Sequence, residues 1–107
     1  MKERRRFLKA WANSGNLWRE RAAMVSVRPL QRMGSLDETF WLAEYFISHK
    51  HDLMHKASGW MLREAGKIDR DALRDFLAKF HKQLPRTALR YAIEHMIQDE
   101  RRKWMER

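Results

Sequence analysis

Apolar residues recur along this chain in steps of three and four, broken only by a few glycines, prolines and short polar residues, so the pattern predicts helix almost throughout. A first helix of about Glu3 to Asn13 carries Phe7, Leu8 and Trp11 on one stripe and ends at Gly15. Asn16 is placed to cap a second helix that runs toward Gln31, with Gly34 as its stop. Ser35 and Glu38 have the spacing of a capping box for a third helix, Leu36 to Ser48. A fourth runs from Asp52 to Ala65 and is expected to stop at Gly66. Asp69 caps a fifth reaching about Lys82, and Pro85 suits the first turn of a sixth reaching about Ile97. The charged tail Gln98 to Arg107 has room for one more short helix. Val, Ile and Thr are scarce, and Ala, Leu, Met, Arg, Lys and Glu are common, so the fold class is all-α.

Six helices with short links form three pairs, over about 3–31, 36–65 and 69–97 of a single domain. The second member of each pair carries a related core: Arg21-Ala22-Ala23, Lys56-Ala57-Ser58 and Arg90-Tyr91-Ala92, starting 35 (56 − 21) and 34 (90 − 56) residues apart. A basic residue followed by small ones at such a period resembles a short HEAT repeat. Pairs of this kind stack into a curved solenoid whose concave side is lined by the second helices. A compact six-helix bundle is the alternative. The first pair reads as an internal repeat, because its first helix has an ordinary apolar stripe where a terminal repeat has a polar face. Upstream sequence and self-association through this uncovered end are therefore expectations, although the charged start Glu3-Arg4-Arg5-Arg6 argues partly the other way.

Composition narrows the partners. Lys and Arg number 23 against 14 Asp and Glu, a formal charge of +9 that favours a polyanion, most often nucleic acid. There is no cysteine, so disulfides and thiolate metal sites are excluded and a reducing cytosol is the default compartment. No apolar run approaches the ~20 residues needed to cross a bilayer. The basic start Met1 to Arg6 imitates a signal-peptide n-region, but Lys9 interrupts the stretch from Phe7 to Asn13 and no long apolar run is present there, so a signal peptide is rejected.

The fourth helix is the most informative segment. At about 100° per residue, Met54, Ala57, Ser58, Met61, Leu62 and Ala65 share one side and form its core face. Lys56, Trp60, Arg63 and Lys67 form a stripe on the other side, which sets a large aromatic ring among three cations. Two readings of Trp60 stay open. It packs against a neighbouring inner helix under Arg stems, or it is a stacking surface in an electropositive trough where cations neutralise phosphates. Arg21 and Arg28 share a face of the second helix, and Arg86 and Arg90 lie one turn apart on the sixth. If the second helices line the concave side, all of these form one basic channel. Arg21 is divided between that role and a scaffold role between repeats. Glu64, beside Arg63, reads as a surface ion-pair partner. His51 and His55 have an i, i+4 spacing with His49 and Asp52 near, but a third metal ligand is lacking and no metal is expected. His81 and His95 read as surface residues. Phosphate loops, nucleophile motifs and carboxylate pairs suited to acid–base catalysis are missing from the sequence.

The run Asp52-Leu-Met-His-Lys-Ala-Ser-Gly-Trp-Met-Leu-Arg-Glu-Ala-Gly-Lys67 resembles a signature of the AlkD-like DNA alkylation repair family, a lysine–alanine–apolar–glycine–tryptophan stretch closing on Leu-Arg-Glu. Ser58 is a small polar departure. Asn16 to Met24 is similar to the family's inner helix one repeat earlier, and Leu84 to Ile93 to its last repeat, in the right order and spacing. The resemblance implies a HEAT-like solenoid of bacterial type that hydrolyses the N-glycosidic bond of N3- and N7-alkylated purines without flipping the base, and needs no cofactor. It implies two tryptophans, an aspartate and an arginine in the cleft. Trp60 matches the later tryptophan and Arg21 the arginine. The aspartate and the earlier tryptophan would fall before Met1 and have no counterpart here; Asp37 and Asp52 lie in other helices. The expected role is the C-terminal portion of such a glycosylase, bound to alkylated duplex DNA in the cytoplasm at the nucleoid. A non-catalytic DNA-binding module and a protein-interaction scaffold are the other readings.

Overall fold

The breakers set the element ends, as the pattern requires. The structure is a computed structural model that describes residues 2–106, with side chains from Arg5 onward, so Met1 and Arg107 and the side chains of Lys2, Glu3 and Arg4 lie outside the described part. Among the described residues there are eight helices and no strand: α1 (Lys2–Ala12), α2 (Leu17–Val25), α3 (Val27–Arg32), α4 (Asp37–Tyr45), α5 (Asp52–Ile68), α6 (Arg70–Phe80), α7 (Arg86–Ala92) and α8 (Gln98–Met105). Gly15 and Gly34 follow α1 and α3 with φ of 72° and 90°, the left-handed backbone that a side chain resists. Asn16 caps α2 by accepting from the Arg19 N–H, and Asp69 caps α6 by accepting from Ala72.

Several boundaries depart from the sequence reading: α4 ends at Tyr45 and α7 at Ala92, short of Ser48 and Ile97, and three further departures each have a local reason. The second helix divides at Ser26 into α2 and α3, because Pro29 has no N–H to return to Val25 and its ring crowds that carbonyl. The Ser26 hydroxyl donates to the Ala23 carbonyl at 2.7 Å across the break. The capping box at Ser35 does not close in its reciprocal form. The Ser35 hydroxyl donates to the Glu38 carboxylate at 2.7 Å, while its N–H goes to the Leu30 carbonyl, and α4 begins at Asp37. Gly66 does not stop α5, which runs on to Ile68. A Cβ there would lie 2.5 Å from the Leu73 Cδ2, so Gly66 lets α6 approach closely.

The second helices lie beside one another, with α5 in contact with α2, α3 and α7. On its other flank α5 meets α4 and α6, and α1 packs on α2. The smallest extent of the backbone is 18 Å, the thickness of two helices at the usual 8–10 Å packing distance. One core cluster joins Leu8, Ala23, Met24, Val27, Leu42, Phe46, Met54, Ala57 and Met61; the other joins Leu62, Leu73, Phe76, Leu77, Ala88, Leu89, Ala92 and Ile93. α5 feeds both, and all six residues of its expected core face are buried. The α1–α2 end keeps exposed apolar side chains, with Phe7 52% and Trp18 68% exposed.

The tightest approach is between α5 and α7. A Cβ on Gly59 would meet the Tyr91 Cβ at 2.6 Å, the Ala88 carbonyl oxygen at 2.7 Å and the Ala88 Cα at 3.0 Å. The charged tail is not loose. α8 lays Trp104 and Met105 against the second core, and Arg74 on α6 holds Glu100 with two bonds of 2.8 and 2.9 Å. Trp104 also donates to Glu100 at 3.1 Å.

These contacts set two expected outcomes. Gly59→Ala meets backbone rather than a yielding side chain and should destabilise by about 1–3 kcal/mol, more than the roughly 1 kcal/mol of helix propensity it gains. Gly66→Ala meets only the end of Leu73 and should be close to neutral, so thermal melting of the two variants should separate them by several degrees. The Arg74 hydrogen bonds, with that from Trp104 and the nearby charge of Arg70, hold the Glu100 carboxyl down to about 2, against the cost of burial. A depressed carboxyl contributes stability above its unfolded pKa near 4.5 and loses it as pH falls toward 2. Glu100→Gln should therefore melt lower at neutral pH and lose less between pH 4.5 and 2 than the parent.

Candidate nucleic-acid interface

A cleft of about 300 Å³ opens where α2, α5 and α7 meet, lined by Arg21, Leu53, Lys56, Ala57, Trp60, Arg63 and Tyr91. Placement follows from the packing. α5 turns its core face inward, which leaves Lys56, Trp60 and Arg63 on the side toward the cleft. α2 lies alongside and presents Arg21, and the close crossing at Gly59 brings Tyr91 of α7 to the opposite rim. Four of the residues singled out from the sequence thus meet at one site: Arg21, Lys56, Trp60 and Arg63. Sequence reasoning misses Tyr91. Its signal lies in the related three-residue cores, where Ala22 and Ala57 hold the position that Tyr91 fills at the core of α7.

Trp60 stands at the boundary between core and cleft. It is half-buried and packs against the cluster of Met54, Ala57 and Met61, and the same ring walls the cleft. None of the lining residues is acidic, yet the cations are not equally available. Lys56 pairs with exposed Asp52 at 3.3 Å. Arg63 binds Glu94 through one terminal nitrogen and faces Glu64 at 3.5 Å through Nε. Arg21 has no ion-pair partner among the described residues, which leaves it the least neutralised cation of the cleft.

Glu64 is not a surface partner. It is 7% exposed and lies 3.1 Å from Arg28, 3.0 Å from Lys67 and 3.5 Å from Arg63. Burial pushes its carboxyl up, but the Lys67 hydrogen bond and the charges of Lys67, Arg28 and Arg63 together hold it below the ordinary carboxylate range. Helical spacing places Glu64 beside Arg63, but only the approach of α3 after the Pro29 break brings Arg28 to it.

The remaining basic residues do not join the cleft. Arg28 and Lys67 flank it through Glu64. Arg86 donates to the Met105 carbonyl at 3.4 Å, at the end of α8. Arg90 lines a separate groove with Glu94, Gln98, Arg101 and Arg102. His49 and His51 serve the start of α5: the His51 ring caps Leu53, the His51 N–H donates to His49 Nδ1, and His49 Nε2 reaches Glu20 at 3.0 Å. No group of three metal-ligating side chains occurs among the described residues. A larger groove of about 650 Å³ between α4 and α6 carries Asp37, Glu44, Asp69 and Asp75 against Lys79, the wrong sign for a phosphate backbone.

The described residues are all-helical, and the cleft they form is lined by cations and aromatic rings without an acid. Residues 1–96 match the family model of DNA alkylation repair enzymes, and the chain belongs to that family, with a role in DNA repair. No curated protein and no solved structure matches the chain. Among the described residues, no helix is long and apolar enough to cross a membrane.

Because Trp60 is half-buried on the edge of a core, Trp60→Ala should cost about 1–3 kcal/mol, less than the roughly 3–5 kcal/mol of a fully buried aromatic. Trp60→Phe, which refills most of the contact, should melt within a few degrees of the parent.

Proposed function

We propose that the protein binds alkylated duplex DNA through the α2–α5–α7 cleft, as the C-terminal portion of an alkylpurine DNA glycosylase. In this reading α1–α3, α4–α5 and α6–α7 are three HEAT-like pairs of a solenoid, and the protein works at the nucleoid in the cytoplasm. One observation carries the reading. Arg21 and Lys56, 35 residues apart in sequence, converge with Trp60, Arg63 and Tyr91 on one acid-free cleft, in a chain of charge +9 that matches the repair family over residues 1–96. Arg21 and Lys56 hold backbone phosphates, while the Trp60 and Tyr91 rings contact sugar or base faces.

Glycosidic hydrolysis of an alkylated purine leaves positive charge on the sugar, and a carboxylate near C1′ is the group that stabilises it. The cleft lining contains none, and the acids that reach its cations are engaged by them, Asp52 by Lys56 and Glu64 and Glu94 by Arg63. The chain by itself therefore serves binding more than bond cleavage. The same feature favours a second reading, a DNA-binding module without catalysis of its own.

Binding should be strongly salt-dependent. With the two phosphate contacts of Arg21 and Lys56, a fourfold rise in salt should weaken it about 12-fold. Fluorescence anisotropy with methylated and unmethylated duplexes at low and moderate salt measures this. Arg21→Ala and Trp60→Phe should each weaken binding by at least severalfold; affinity indifferent to salt and to both substitutions overturns the DNA reading. Release of 7-methylguanine from methylated duplex should stay near the protein-free rate. Release far above it shows that a carboxylate of this chain supplies the missing charge.

A further inference from the structure

The cluster around Glu64 has more positive charge than a buried carboxylate needs. One cation would neutralise Glu64, but three converge on it from two helices: Arg28 of α3, and Arg63 and Lys67 of α5. The acid is nearly enclosed, whereas the three basic side chains are 26%, 22% and 49% exposed, so the carboxylate lies beneath and the cations lie toward solvent. Counting Glu94, which also binds Arg63, three positive charges oppose two negative ones, and the patch stays electropositive.

Arg28 is held from a second side. Its Nη1 donates to Gln31 Oε1 at 3.3 Å, and the buried Gln31 amide donates in turn to Thr39 Oγ1 and the Met61 carbonyl, both at 2.9 Å. α3, α4 and α5 are thereby tied at the point where Arg28 reaches Glu64. Arg63 belongs to this cluster and to the cleft wall, and Lys67 lies about 6 Å further along α5. The cluster is thus continuous with the cleft and in reach of the same strand. Long basic side chains lose rotamer freedom when they grip a ligand, and a group that already holds them lowers that cost.

We propose that Glu64 is a positioning residue which organises Arg28, Arg63 and Lys67 into a backbone-phosphate subsite beside the cleft. The proposal rests on the DNA-binding reading above, and its sign separates it from simple charge. Glu64→Gln raises the net charge from +9 to +10, so a carboxylate that merely masks cations predicts tighter binding on removal. A positioning carboxylate predicts the opposite.

The test is anisotropy with a plain duplex over a range of salt, for the full chain and for Glu64→Gln and Arg28→Lys, with thermal melting of each. Arg28→Lys keeps the charge but loses the fork that bridges Glu64 and Gln31. Both variants should bind about 5- to 10-fold more weakly than the parent at low salt, and their effects should combine to less than the product of the two, because they disturb one cluster. If Glu64→Gln does not fold, Arg28→Lys decides alone. Binding by either folded variant as tight as the parent's, or tighter, overturns the subsite while leaving the cleft in place. A parent chain without salt-dependent binding overturns the cleft and the subsite together.

Discussion

The crossing of α5 and α7 at Gly59 is the constraint on which the site depends. With hydrogen in place of a side chain, the Ala88 backbone and the Tyr91 Cβ come to distances that no other residue permits. That approach buries Ala88, Leu89 and Ala92 with Leu62 in one core, and it brings Tyr91 to the rim of the cleft that Trp60, the next residue along α5, helps to wall. Stability and site geometry are therefore coupled through one missing Cβ. A side chain at position 59 would push α7 outward and open the cleft together with the core.

Charge is organised in a second way. The chain is strongly basic, yet most of its inner-layer cations are already paired: Lys56 with Asp52, Arg63 with Glu64 and Glu94, Arg28 and Lys67 with Glu64. Such pairing tempers self-repulsion and fixes flexible side chains without removing the positive field. Exposed pairs such as Lys56–Asp52 contribute little to stability. The nearly buried Glu64 differs, because separating it from its cations would strand a charge away from water. The acidic residues gathered between α4 and α6 leave the cleft side the more positive one.

Much of this is legible in the residues themselves. Gly15, Asn16, Gly34 and Asp69 announce helix ends through conformations that depend on single residues and their immediate neighbours. The core face of α5 follows from the period of its apolar residues, which the backbone geometry imposes wherever the helix is placed. The stripe of Lys56, Trp60 and Arg63 follows from the same period. Pro29 is equally legible as a helix breaker, but its effect at Ser26 is masked because the apolar pattern continues across it.

Other features needed the tertiary structure. Gly66 has the composition of a stop and instead serves as a contact, because whether a glycine ends a helix or admits a neighbour depends on Leu73 of the next helix. Glu64 looks exposed on its own helix, yet in the structure it is buried and takes Arg28 from α3 as a partner. Arg86 and Arg90 share a helix with Tyr91, yet they belong to the α8 side and not to the cleft. Sequence by itself determined the helices, their apolar faces and the sign of the charge, since these arise from local conformation and composition. Only the packing of α5 against α3 and α7 decided which cations meet, that Glu64 also takes Arg28 and Arg63 also takes Glu94, and which aromatic rings share the cleft, because those depend on distances between residues about 30 or more positions apart.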